Sequence, residues 1–169
     1  FALQHHVAHI LAVLAENRCR HPVLGLTLDG TGLGDDHTLW GGEIIYVNPE
    51  TLEYRRLGHF SPLTLPGGDT AVIEPWRTAQ SLLYSQGINS PEIRLWPWLN
   101  DYAQASDVVG QMLEKKINCI SSTSCGRLFD AVSALLGLCQ RTDYEGQAAI
   151  RLEAIQARGE SAAYNCPVV

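Results

Sequence analysis

Leu28-Asp29-Gly30-Thr31-Gly32-Leu33-Gly34-Asp35-Asp36, running on through Leu39-Trp40-Gly41-Gly42-Glu43, decides how the rest of the chain reads. It follows the apolar run Val23-Leu24-Gly25-Leu26-Thr27-Leu28, which predicts a buried strand. A carboxylate at the exit of such a strand, beside a glycine-rich turn, suits a cation or a phosphate neighbour. Gly30 and Gly32 would let backbone N–H groups approach phosphate oxygens, and Thr31 adds a hydroxyl donor. A glycine-rich turn after a strand also occurs in proteins that bind nothing. No GxxxxGK[ST] loop is present, so a P-loop is excluded.

Upstream lies Gln4-His5-His6-Val7-Ala8-His9. Val7, Ile10, Leu11 and Leu14 fall at helical spacing, so the segment 3–16 predicts an amphipathic helix. His5 and His9 are one turn apart on that helix and face the same way. Their imidazoles can share one divalent ion, Zn or Fe, with Asp29 as a third ligand. A polar helix face that merely happens to be rich in histidine has the same spacing. His6 falls nearer the core side, where it would orient a ligand or contact substrate. His21, His37 and His59 have no partner spacing.

Further along, strands are expected near 39–47 and 52–60, in a hairpin turning at Asn48-Pro49-Glu50. The turn Pro66-Gly67-Gly68-Asp69 leads into a helix over 72–84, with Pro75 tolerated in its first turn. Residues 86–100 read as loop, 101–115 as helix and 117–120 as a short extended piece. Helices follow over 126–138 and 144–157, and the tail 159–169 lacks periodicity. The class is α/β, with antiparallel strands early and helices late. Cys125 heads a helix, where a thiol is either a low-pKa nucleophile or a small packing residue. Asp130 and Glu145 either cap helices or accept hydrogen bonds from ribose hydroxyls. The four tryptophans read as core and loop anchors.

The totals restrict the classes. With 169 residues, 46% of them hydrophobic, the chain is long enough to bury a core without disulfides. A net charge of −6 with scattered basic residues argues against nucleic-acid binding. The five cysteines are irregularly spaced, which suggests free thiols in a reducing, cytoplasmic setting. No apolar run approaches the roughly 20 residues that a membrane span needs. The chain opens on Phe1, almost at a helix, as expected of a piece of a longer protein.

Taken together the motifs resemble the HypF family of carbamoyltransferases. The resemblance rests on the histidine run, Leu28-Asp29-Gly30-Thr31-Gly32, Trp40-Gly41-Gly42-Glu43, Leu65-Pro66-Gly67-Gly68-Asp69, Glu74-Pro75-Trp76-Arg77, Thr123-Ser124-Cys125-Gly126-Arg127-Leu128-Phe129-Asp130 and Tyr144-Glu145-Gly146-Gln147-Ala148-Ala149. These occur in the family's order from residue 4 to about 150. The resemblance implies the actin-like, Hsp70-like (ASKHA) nucleotide-binding fold, shared with the tRNA threonylcarbamoyl transferases. It implies a metal at His5, His9 and Asp29, and nucleotide contacts at Gly30, Thr31, Gly32, Asp130 and Glu145. His6 and Arg127 are expected near substrate.

The activity so implied moves a carbamoyl group from carbamoyl-adenylate, made from carbamoyl phosphate and ATP, to the C-terminal cysteine of a HypE-like partner. That step supplies the cyanide ligand of nickel–iron hydrogenase. The family's upstream acylphosphatase-like, CxxC zinc and adenylate-forming parts are not in this sequence, nor is its downstream SGG…N phosphate loop. The expectation is therefore mainly one lobe, the first, plus the beginning of the second: a partial transferase domain over 1–150, with 151–169 the truncated, poorly ordered end of the same domain, inactive alone. Two other functions are compatible with the motifs. One is an O-carbamoyltransferase acting on a small-molecule hydroxyl, and the other a non-catalytic partner-docking lobe. A tRNA-modifying relative is disfavoured by the acidic balance and by Ala8, because that family's metal helix reads HxEGH.

Overall fold

The computed structural model describes residues 2–88, 96–157 and 159. The first helix, α1 (His5–Glu16), forms where the apolar periodicity predicts it. Gln4 caps its N-terminus, its side-chain oxygen accepting from the Val7 N–H. Val7, Ile10 and Leu14 turn inward and pack with Trp40, Ile45 and Val47. Burying each such side chain stabilises the fold by about 1.5–3 kcal/mol.

Three antiparallel strands follow: β1 (Val23–Leu33), β2 (Leu39–Asn48) and β3 (Glu53–His59). The hairpin between β2 and β3 turns where Asn48-Pro49-Glu50 predicts. The short strand β4 (Leu63–Pro66) has no counterpart in the sequence reading, since four residues are too few to show a period. β4 pairs antiparallel with β5 (Cys119–Ser122), and β5 meets the start of β2 in parallel at Leu39 and Ser122. The sheet order is β1-β2-β5-β4, with β3 also on β2. The central strand β2 thus carries the whole sheet.

The stretch expected to turn after Leu28 does not turn. β1 runs on to Leu33, and Leu28 pairs with Gly42 while Gly32 pairs with Trp40. Asp29, Gly30 and Thr31 therefore face a single residue, Gly41, in a wide bulge that pushes Asp29 out of the ladder.

β1 is not buried on both faces either. Thr27 is buried, but Leu24, Leu26 and Leu28 are 66%, 62% and 56% exposed. The leucines alternate with Gly25 and Thr27, so a period of 2 was present inside the apolar run. α1 covers only the Gly25 face, and it lies so close that a Cβ on Gly25 would stand 2.3 Å from Ile10. Among the described residues nothing covers the other face.

The helix expected over 72–84 is two helices, α2 (Asp69–Ile73) and α3 (Pro75–Ser85). Glu74 between them has φ −119° and ψ 77°, because a residue before proline is driven out of the helical region. A 3₁₀ turn (Pro97–Tyr102) precedes α4 (Ala103–Lys115), taking the residues expected as that helix's first turn. The last two helices are α5 (Cys125–Leu135) and α6 (Gln147–Ala154), the latter shorter at both ends than its periodicity suggested. Trp76, Leu83, Leu99, Val109 and Leu113 form a second core among α3, the 3₁₀ turn and α4. The expected loop at 89–95 and the tail at 158 and 160–169 lie outside the described residues. No described helix is long and apolar enough to cross a membrane.

One buried carboxylate ties the two sheet arms together. Glu43 is fully buried and receives Arg56 Nε at 2.6 Å and the Gly41 and Gly42 N–H groups at 3.0 and 3.2 Å. The Thr123 hydroxyl, at the end of β5, also donates to it. Arg56 in turn lies 4.1 Å from the Trp40 ring centroid and pairs with Asp36 at 3.1 Å. Burial pushes the Glu43 carboxyl up, but Arg56, Thr123 and the two amides outweigh it and hold it below the ordinary glutamate range.

Because the folded pKa is depressed, Glu43's contribution is fully present above about pH 4.5. It is lost as pH falls through the lower folded value. Glu43→Gln is expected to cost about 1.5–3 kcal/mol at neutral pH, because Arg56 loses the carboxylate at its Nε and keeps only Asp36. The gap from wild type should narrow as urea denaturation is repeated at progressively lower pH. A gap that stays constant down to acid would show that the ion pair does not carry this stability.

Candidate functional site

The first turn of α1 projects His5 and His9 over the bulge in β1. His5 Nε2 lies 2.9 Å from Asp29 Oδ2, His9 Nε2 lies 3.2 Å from His5 Nε2, and His9 Nε2 lies 3.9 Å from Asp29 Oδ2. Ligand atoms at about 2.0–2.1 Å around a tetrahedral ion stand roughly 3.3 Å apart. The two imidazole nitrogens and the carboxylate oxygen therefore already converge on the volume of one ion, and the donor set suits Zn or Fe. Both rings are about half exposed, so the volume is open to solvent.

The neighbouring glycine makes this approach possible. A Cβ on Gly32 would fall 2.4 Å from His6 Cε1 and 2.5 Å from His5 Cδ2. Gly32, expected at nucleotide, lies against the histidines. Gly30 has another constraint, because its N–H donates to its neighbour Asp29 Oδ1 at 2.6 Å. Burial raises the Asp29 carboxyl, but the His5 hydrogen bond, the Gly30 amide and the neighbouring imidazoles hold it below the ordinary carboxylate range. Asp29 is thus kept ionised, as a ligand must be.

α5 fixes the far side of Asp29. Ser124 caps this helix by accepting from the Arg127 N–H at 3.0 Å. Its own hydroxyl hydrogen is shared between the carbonyls of Asp29, at 3.1 Å, and Gly30, at 2.5 Å. Gly126 makes the contact close: a Cβ there would stand 2.8 Å from Gly30 Cα.

Beside this junction opens a cavity of about 510 Å³. Asp29, Gly30, Thr31, Arg127, Asp130 and Glu145 are among the residues that line it. All of the residues expected at nucleotide therefore share one cavity except Gly32. Asp130 sits in the middle of α5 and not at its start, and Glu145 is exposed just before α6. Arg127 Nη1 is 2.9 Å from Asp130 Oδ2, both side chains being buried. The pair is close but not aligned as a hydrogen bond, so the Arg127 Nε and Nη1 hydrogens have no acceptor. Burial raises the Asp130 carboxyl and Arg127 opposes the rise.

His6 is fully buried beneath the site and meets the Trp40 ring at 5.8 Å. Burial first, then repulsion from His5, holds its imidazole below the ordinary histidine range, against the pull of Asp29 and Glu43. Cys125 is buried in α5 and burial pushes its thiol up, which favours the packing role over an activated nucleophile. The Glu43–Arg56–Thr123 group beneath the site was missed by sequence reasoning. An acid at an inward position of an otherwise apolar strand was the available signal.

Comparison with known proteins agrees with these motifs. Residues 25–169 match the family model described as "Carbamoyltransferase, Kae1-like Domain, second subdomain". A HypF homolog from Cupriavidus necator is 48% identical over 156 residues, covering 92% of this chain and 39% of its own length. The crystal structure of T. kodakarensis HypF superposes with a TM-score of 0.82 at 33% identity, over 98% of this chain and 23% of that one. Full-length HypF in a phosphate- and nucleotide-bound form gives 0.80 at 33% identity, over 93% of this chain and 20% of that one. The chain thus spans less than half the length of these relatives.

Ser124→Ala is expected to cost about 1 kcal/mol by loss of the α5 cap. Gly32→Ala should push the histidines off Asp29 and weaken Zn(II) binding, with circular dichroism unchanged. Equal zinc affinity in Gly32→Ala would show that the close approach of α1 does not set the cluster.

Proposed function

The chain belongs to the HypF carbamoyltransferases, within their Kae1-like domain, and from that premise we propose that it forms part of a carbamoyl-transfer site. One observation carries this reading. Asp29 belongs both to the histidine cluster and to the wall of the 510 Å³ cavity, so a metal and a nucleotide held there would be neighbours. The similar full-length HypF in its phosphate- and nucleotide-bound form supports a nucleotide in that cavity.

In the full protein the group transferred would be carbamoyl, from carbamoyl-adenylate to the C-terminal cysteine thiol of a HypE-like partner. His5, His9 and Asp29 would hold a divalent ion, which when bound supplies a Lewis acid that polarises the carbamoyl carbonyl. The chain's own groups do the positioning. Asp130 and Glu145 accept hydrogen bonds from ribose hydroxyls, and Gly30 and Thr31 flank the phosphate. Arg127 lines the same cavity and would add a positive charge beside the phosphate. The acceptor thiolate attacks the carbamoyl carbon, the bond to the phosphate oxygen breaks, and AMP departs.

The purified chain is expected to hold close to one equivalent of Zn or Fe, and the His5→Ala/His9→Ala double variant none. AMP should bind, and Glu145→Ala should weaken it roughly 10–100-fold, the worth of a charged hydrogen bond. A chain that takes up neither metal nor AMP would favour a docking lobe. In the full-length protein, a cysteine-tailed peptide and a hydroxylated small molecule offered as acceptors would separate thiol from hydroxyl transfer.

A further inference from the structure

Two groups of three could hold the ion. One is His5, His9 and Asp29. The other is His5, His6 and Asp29, whose ligand atoms all lie within 4.8 Å. Distance alone does not choose between them, but the hydrogen bonds of Gln4 do.

The Gln4 amide is oriented by two backbone groups whose roles are fixed. Its oxygen accepts from the Val7 N–H at 3.0 Å, and Val7 N can only donate. Its nitrogen lies 3.2 Å from the Leu33 carbonyl, which can only accept. The amide cannot be flipped without breaking both. That nitrogen has a second hydrogen, and it lies 3.2 Å from His6 Nδ1. Nδ1 must then be the acceptor, so the neutral imidazole carries its proton on Nε2. Nε2 is buried without a hydrogen-bond partner, and Asp29 Oδ2 is 3.9 Å away.

We propose that Gln4 locks His6 as the Nε2–H tautomer, making it a hydrogen-bond donor that positions the Asp29 carboxylate and not a metal ligand. A protonated ring nitrogen has no lone pair for an ion. It can satisfy itself only by donating, and the Asp29 carboxylate, already held by His5, is the acceptor in reach once it shifts slightly toward the ring. His6 is therefore a positioning residue beneath His5 and His9, of the kind that orients ligands in metal sites. This rests on the reading that His5, His9 and Asp29 hold a metal.

Long-range ¹⁵N–¹H correlation spectra of the ¹⁵N-labelled chain test it, without metal and then with Zn(II). The expected His6 pattern is a protonated Nε2 and an unprotonated Nδ1, unchanged on adding zinc while His5 and His9 respond. Gln4→Glu, whose carboxylate still caps α1 but cannot donate, should switch His6 to the Nδ1–H form. His6→Gln keeps a donor near the Nε2 position and should lower zinc affinity by no more than 10–100-fold at unchanged stoichiometry. An Nδ1–H tautomer in the wild type, zinc on His6, or no switch in Gln4→Glu would each overturn the proposal. Absence of zinc uptake would remove the metal reading alone, because the metal-free spectrum still decides the His6 tautomer.

Discussion

The buried Glu43 carboxylate is the constraint on which the rest of the structure depends. Four donors from three places in the chain meet on it: the Gly41 and Gly42 amides of β2, Arg56 of β3, and Thr123 at the end of β5. A charge removed from water is costly unless it is fully paired, so these elements have little freedom to separate. The same link places Thr123 and Ser124 next to β2. Ser124 then grips the carbonyls of Asp29 and Gly30. The position of the candidate ligand Asp29 is thus traceable to a buried ion pair that touches neither metal nor nucleotide.

Close backbone packing does the remaining placement. α1 lies against β1 because Gly25 and Gly32 offer it no Cβ, and α5 lies against the bulge because Gly126 offers none. A helix bearing imidazoles and a helix bearing Arg127 and Asp130 are thereby brought to opposite sides of one carboxylate. The exposed Leu24, Leu26 and Leu28 face of β1 shows the same strand from the other side. It is an apolar surface left uncovered among the described residues, larger in character than the scattered apolar residues of an ordinary surface.

Much of the secondary structure was legible because it depends on near neighbours. The period of Val7, Ile10 and Leu14 marks α1, and the hairpin at Asn48-Pro49-Glu50 announces itself by turn chemistry. What failed did so for identifiable reasons. Pro75 was read as tolerated in a helix, when its effect falls on Glu74 and divides the segment in two. The glycines after Leu28 were read as a turn, when a bulge absorbs them within a strand. β4 is too short to show a pattern at all.

By itself the sequence determined which chemical groups are present and which of them share a helix face. His5 and His9 at i and i+4 must point the same way, because 3.6 residues make a turn. The series of motifs also determined the family. Only the tertiary structure decided that Asp29 meets those histidines, that Gly32 lies under them, and that Glu43 is buried against Arg56. Those outcomes depend on contacts between residues far apart in the chain, such as Ser124 with Asp29 across 95 positions. Periodicity is a property of neighbours. Burial and hydrogen-bond partnership are properties of whatever the folded chain brings near, and they settle which of several compatible roles each residue takes.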